Sequence, residues 1–128
     1  MPLPFALNHM TAPNMGWEPF LDLAAGLGCV GVEFRNDLKT PLFGGADPAA
    51  VRAAVAERGL RFLALAEVKM FNDWSDAKRA EALALIKIAQ AAGAEAVSLI
   101  PRNDGVATTR AESARVTTTA LKALLPML

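Results

Sequence analysis

Glu33 and Arg35 stand two residues apart, as do Glu67 and Lys69, and each pair sits at the end of an apolar run. In an extended strand, residues at i and i+2 point to the same side. Leu63, Leu65, Glu67 and Lys69 are therefore expected to share one face, and Gly31, Glu33 and Arg35 another, opposite Val30, Val32 and Phe34. Two strands thus each present a carboxylate followed by a cation. Such pairs either form an internal ion-pair network that fills a barrel interior, or serve a functional site. The desolvation cost of a buried pair makes it weak evidence for stability alone.

The tripeptide Arg-Asn-Asp occurs twice, at 35–37 and 102–104. Arginine suits bidentate capture of phosphate or carboxylate, whereas Asn and Asp favour turns. The arginines Arg35 and Arg102 are read as ligand or ion-pair contacts, and Asn36, Asp37, Asn103 and Asp104 as turn formers. With Lys69 they predict an anion site at three neighbouring strand ends, unless Glu33 and Glu67 neutralise it. His9 is the only histidine, so no multi-histidine metal site can be built; it is either a substrate contact or a satisfied polar group. Phe71 and Trp74 either wall a sugar pocket or pack a long loop over the core. Gly44-Gly45 lacks both dinucleotide spacing and a P-loop lysine, and no CxxC, HExxH or GxSxG motif occurs.

The elements that must position these residues repeat four times: apolar strand, polar loop, amphipathic helix, glycine. Strands are expected over 4–8, 29–34, 61–68 and 96–100, and helices over 17–27, 48–58, 76–92 and 111–125. In the first helix Phe20, Leu23, Ala24 and Leu27 recur at helical spacing. Leu85, Ile88, Ala89 and Ala92 do so in the third, and Leu121, Leu124, Leu125 and Leu128 in the fourth. Asp47-Pro48 reads as an N-cap with proline at the first helical position. The helix-ending glycines Gly28, Gly59 and Gly93 lie 31 and 34 residues apart. This alternation predicts right-handed βαβ units, a parallel sheet ordered 1-2-3-4, and helices on one face. Long polar loops fall at the strand C-terminal ends, where parallel α/β proteins place their chemistry.

With 128 residues, 53% of them hydrophobic, the chain reads as one domain with its own core. Thirteen basic against thirteen acidic side chains give no broad attraction to nucleic acid or anionic membranes. The single cysteine, Cys29, excludes a disulfide framework and suits a reducing compartment. No leader or membrane-spanning segment is read, and a cytoplasmic location is expected.

The strings Leu7-Asn8-His9-Met10, Gly28-Cys29-Val30-Gly31-Val32-Glu33-Phe34-Arg35, Ala66-Glu67-Val68-Lys69 and the turn 101–105 resemble the xylose-isomerase-like TIM-barrel superfamily. Within it the chain is most similar to sugar-phosphate isomerase/epimerase proteins, including members tied to inositol catabolism. Gly-x-x-Gly-Val-Glu-x-Arg is the most specific piece. The resemblance covers the first four of eight βα units, so the expected fold is a half of a (β/α)8 barrel over residues 1–128.

It implies proton transfer next to a carbonyl, with Glu33 and Glu67 as catalytic carboxylates and Asn8, His9, Arg35, Lys69, Trp74 and Arg102 as substrate contacts. It also implies a divalent metal whose usual ligands sit on strands five to eight, absent here, so the chain is assigned no metal ligand. The expected partners are a small sugar or sugar phosphate and a second half-barrel, as a homodimer or a complementing chain. Two rival readings are a non-catalytic binding or assembly module and a flavodoxin-like doubly wound domain.

Overall fold

The computed structural model describes residues 2–103, 105–106 and 108–128. The chain runs β1 (Ala6–Asn8), α1 (Trp17–Gly26), β2 (Gly31–Arg35), α2 (Pro48–Glu57), β3 (Arg61–Lys69), α3 (Asp76–Ala92), β4 (Val97–Ile100) and α4 (Arg110–Leu124). The four strands form one sheet in the order β1-β2-β3-β4, and every neighbouring pair is parallel. Because parallel crossovers are right-handed, an order without reversal carries every helix to the same side of the sheet. The doubly wound reading needs a reversal of strand order, and it falls.

Helix starts follow from side chains that satisfy the first free backbone N–H groups. Asp47 accepts from the N–H of Ala49 ahead of Pro48, Ser75 accepts from Lys78, and Thr109 accepts from Glu112. Gly93 ends α3 in the left-handed conformation, φ 76°, that a residue without Cβ adopts most cheaply.

One core joins sheet and helices. Val32 and Phe34 of β2 and Phe62, Leu65 and Val68 of β3 pack with Phe20, Leu21 and Ala24 of α1, Val51 and Val55 of α2, Leu85 and Ile86 of α3, and Ala120 and Leu124 of α4. Two expected helix stripes are displaced. In α1, Leu21 is buried with Phe20 and Ala24, and Leu27, just past the helix end, is exposed. Leu124 at the end of α4 is buried, while Leu121 of α4 and Leu125 and Leu128 beyond it are exposed.

Strand β3 also departs from simple alternation. Its register against β2 skips Leu63, and its register against β4 skips Glu67. Each extra residue shifts the side-chain alternation by one. Phe62, Leu65 and Val68 are consequently all buried in the core, while Leu63 and Glu67 stay half-buried. Leu65 therefore does not share a face with Glu67. The bulge beside β2 also explains Gly31: a Cβ there would lie 2.4 Å from the carbonyl oxygen of Arg61 and 2.8 Å from Leu63 Cγ.

Candidate functional site

Polar side chains gather where β1, β2 and β3 end. Asn8 and Glu33 are register partners on β1 and β2. Asn8 uses both ends of its amide: Oδ1 accepts from the Met10 N–H at 2.9 Å, and Nδ2 donates to Glu33 Oε2 at 3.0 Å. Capping the short 3-10 turn His9–Thr11 thus fixes the amide that orients the Glu33 carboxylate.

The second carboxylate is held through its backbone. Asn36, just past β2, donates from Nδ2 to the carbonyl of Glu67 at 3.0 Å and accepts from the Glu67 N–H at 2.9 Å. Glu67 is the residue that the bulge leaves out of register, so Asn36 supplies the partners that the ladder does not. The Glu67 carboxylate then lies between two cations, with Arg35 Nη2 at 3.8 Å from Oε2 and Lys69 Nζ at 3.6 Å from Oε1. Lys78 of α3 donates to the Lys69 carbonyl at 2.8 Å and pins the strand end.

Arg35 has a closer partner than Glu67. Its Nε and Nη2 donate to the two oxygens of Asp37 at 2.8 and 2.6 Å, a two-pronged pair. That hydrogen bond raises the arginine pKa and lowers that of Asp37, burial opposing in both cases. Neither Asn36 nor Asp37 is simply a turn former: one brackets the neighbouring strand and the other neutralises the arginine. A carboxylate two residues beyond a strand-end arginine was the available signal for the latter.

The remaining candidates lie apart from this group. Arg102 lines a separate cavity of about 230 Å³ with Asn72, Asp73, Thr108 and Glu112, its Nη1 4.0 Å from Asp73 Oδ1. Buried Asn72 positions that loop, accepting from the Arg102 N–H at 2.8 Å and donating to Thr117 Oγ1 at 3.1 Å. Asp104, in the second Arg-Asn-Asp copy, lies outside the described residues. Phe71 is buried and Trp74 half-buried against the hydrophobic core, which is the packing alternative for both. Cys29 is buried too.

His9 is only 5% exposed. Its ring stacks on Phe20 with centroids 4.5 Å apart and meets Phe34 edge-on at 5.5 Å. Nε2 lies 2.7 Å from the Met15 carbonyl, and a carbonyl oxygen only accepts, so Nε2–H is the donor. A cavity of about 140 Å³ opens beside the ring, lined by His9, Asn14, Trp17, Arg35, Thr40 and Phe43 among others. Asn14, Trp17, Thr40 and Phe43 were not singled out from the sequence as site residues; the folded loops after β1 and β2 bring them together.

Among the described residues no group of three His, Cys, Asp or Glu side chains comes together to hold a metal ion. Glu33 and Glu67 alone fall short of the ligand set a divalent ion takes from protein. The described residues of this half-barrel do not by themselves fit the metal that the resemblance implies.

A parallel sheet ordered 1-2-3-4, helices on one side and polar residues at the strand C-terminal ends define one half of a TIM barrel. The chain matches a half-barrel of the xylose isomerase-like TIM-barrel superfamily. It is similar to a xylose isomerase domain containing protein from Salmonella typhimurium LT2, with 30% identity and a TM-score of 0.85 over 94% of this chain and 43% of that one. It is also similar in fold to a xylose isomerase-like TIM barrel/4-hydroxyphenylpyruvate dioxygenase fusion protein, at 17% identity and TM-score 0.74, covering 95% of this chain and 21% of that one. A protein from Sinorhizobium meliloti 1021 matches at 16% identity and TM-score 0.71, over 96% and 46% of the two chains. The chain therefore spans less than half the length of each of these relatives. No protein-family model matches it, and no curated protein does. Among the described residues no helix is long and apolar enough to cross a membrane.

Proposed function

We propose that this chain forms the substrate-positioning half of a sugar isomerase- or epimerase-type site. The observation that carries the reading is the pair of strand-end carboxylates, Glu33 held by Asn8 and Glu67 held by Asn36 and flanked by Arg35 and Lys69. Isomerisation and epimerisation of a sugar both move a proton on carbon next to a carbonyl. A carboxylate is a suitable base for that proton, and a cation beside it stabilises negative charge developing on the carbonyl oxygen. In this reading Glu33 and Glu67 face the reacting carbons, and Lys69 lies on the oxygen side as the cation, with the Nη1 N–H of the Asp37-paired Arg35 as a further donor. The likeness to the Salmonella protein, a xylose isomerase domain containing protein, supports the same class.

The test is calorimetric titration of the chain with a panel of ketoses and ketose phosphates. Saturable binding by at least one ketose is expected, weakened about tenfold or more in Glu67→Gln, which keeps the side-chain shape while removing the charge. No binding across the panel at millimolar sugar, or equal binding by the variant, overturns the reading.

A second reading, a non-catalytic assembly module, is favoured by the exposed apolar residues of α4 and of the segment around β1. The same titration separates the two, since an assembly module has no reason to bind sugar.

A further inference from the structure

We infer that the cavity beside His9 is a subsite for the uncharged, hydroxylated end of a sugar, with His9 Nδ1 as the acceptor that fixes it. The inference rests on the reading of the strand ends as a sugar site and adds which end of the sugar goes where, and that this end carries no phosphate.

Three observations carry it. With Nε2–H given to the Met15 carbonyl, a His9 ring carrying one proton has its acceptor lone pair at Nδ1. That atom makes no hydrogen bond within the described residues, yet no fully buried side-chain nitrogen or oxygen lacks a partner. His9 is among the residues lining the cavity, and Nδ1 is the ring nitrogen not already given to Met15. A nitrogen that can only accept selects a donor, such as a hydroxyl.

The second observation is size and lining. About 140 Å³ is close to the roughly 150 Å³ of an engineered cavity that takes benzene, so several non-hydrogen atoms fit. Trp17, Leu38, Pro41 and Phe43 give apolar walls for C–H faces, and Asn14 and Thr40 give further polar contacts. That mixture suits a polyhydroxylated carbon chain.

The third is charge. Arg35 is the cation lining this cavity, and its Nε and Nη2 are both given to Asp37. Its Nη1 makes no hydrogen bond among the described residues and can still donate to a hydroxyl or carbonyl oxygen. The positive charge that would attract a phosphate dianion is already answered by Asp37 and by Glu67. A hydroxyl loses nothing by this arrangement, whereas a phosphate entering beside Asp37 meets a carboxylate at close range.

The experiment uses the fact that His9 is the only histidine. Chain labelled with ¹⁵N-histidine and ¹⁵N-backbone is titrated with D-fructose, D-fructose 6-phosphate and inorganic phosphate, following the imidazole nitrogens and the amides of Glu33, Arg35 and Glu67. A saturable shift of Nδ1 with fructose, and none with phosphate, is expected. Asp37→Asn should reverse the preference, strengthening fructose 6-phosphate relative to fructose by about fivefold or more. Shifts at Glu33, Arg35 and Glu67 without any at His9 overturn the subsite and leave the strand-end site standing. No shift anywhere overturns both. A His9 shift produced equally by phosphate, or an unchanged preference in Asp37→Asn, overturns the uncharged-end assignment.

Discussion

Asp37 shows how a single side chain changes the character of the site. Arg35 by itself is a cation at a strand end, but its fork to Asp37 makes the pair neutral and directional. The hydrogen bond from Arg35 holds the Asp37 carboxyl below the usual aspartate range. The folded-state value thus lies below the unfolded one, so the stabilisation is present above the ordinary aspartate pKa and is lost as pH falls through the lower folded value. Asp37→Asn is expected to cost about 1 kcal/mol in urea unfolding at pH 7. The difference from the parent should shrink as pH falls below the ordinary aspartate range, and a difference that persists undiminished in acid refutes the charged fork. Asn36→Ala acts differently, since it leaves both backbone groups of Glu67 without their partner. A loss of about 1–2 kcal/mol is expected, with weaker ketose binding although no charge has changed.

At the scale of elements, the bulged β3 and the helix α4 make the sharpest claims. Gly31 lies where the bulge brings the Arg61 carbonyl within 2.4 Å of a hypothetical Cβ, and backbone cannot step aside as a flexible side chain can. Gly31→Ala should destabilise by about 2–3 kcal/mol, whereas Gly26→Ala, in a helix with nothing within 4 Å, should be neutral or stabilising. Thermal unfolding of the two variants side by side checks this; equal midpoints would show that the close approach at Gly31 is relieved. At the C-terminal end of α4, neighbouring leucines should behave oppositely. Leu124 is 1% exposed and Leu125 is 64% exposed. Leu124→Ala should cost about 3 kcal/mol, and Leu125→Lys, compared at concentrations where the chain is monomeric, less than about 0.5.

For the whole molecule, what matters is what the sheet leaves uncovered. β1 and β4 are its two edge strands. Close to β1 lie exposed Leu3, Phe5 and Val30, and α4 together with its C-terminal turn exposes Leu121, Leu125 and Leu128. Open parallel edges with apolar flanks favour pairing with another copy. Placing the β4 edge of one copy against the β1 edge of a second continues the parallel order, and doing so twice closes a ring of eight strands by a two-fold rotation. Light scattering of the 128-residue chain is therefore expected to show a concentration-dependent dimer at micromolar concentration, driven toward monomer by a Leu121→Glu, Leu125→Glu double variant. A clean monomer in the parent counts against this arrangement and indicates that the chain covers its own edges.

Periodicity and punctuation in the sequence determine the element order, the parallel sheet and the end of the sheet that carries the polar residues. These are local matters: helical spacing in α3, the Asp47-Pro48 start of α2 and the glycine after α3 need no distant partner to act. The alternation of β2 is equally local, and Val32 and Phe34 are buried opposite Glu33 and Arg35 as it predicts. Tertiary structure decided the rest. The two skipped residues of β3 depend on how β2 and β4 pair with it, so the burial of Leu65 could not follow from a period of two. Which leucines of α4 are covered depends on what packs against it. Asn36 finds Glu67 across 31 positions, and Asp37 claims an arginine that its sequence position alone marks as a turn neighbour. His9 becomes a buried ring with a free acceptor only after Phe20, Phe34 and the Met15 carbonyl converge on it. Residue types and spacing tell which groups reach the strand ends; partner choice among charges and amides is settled by three-dimensional distance.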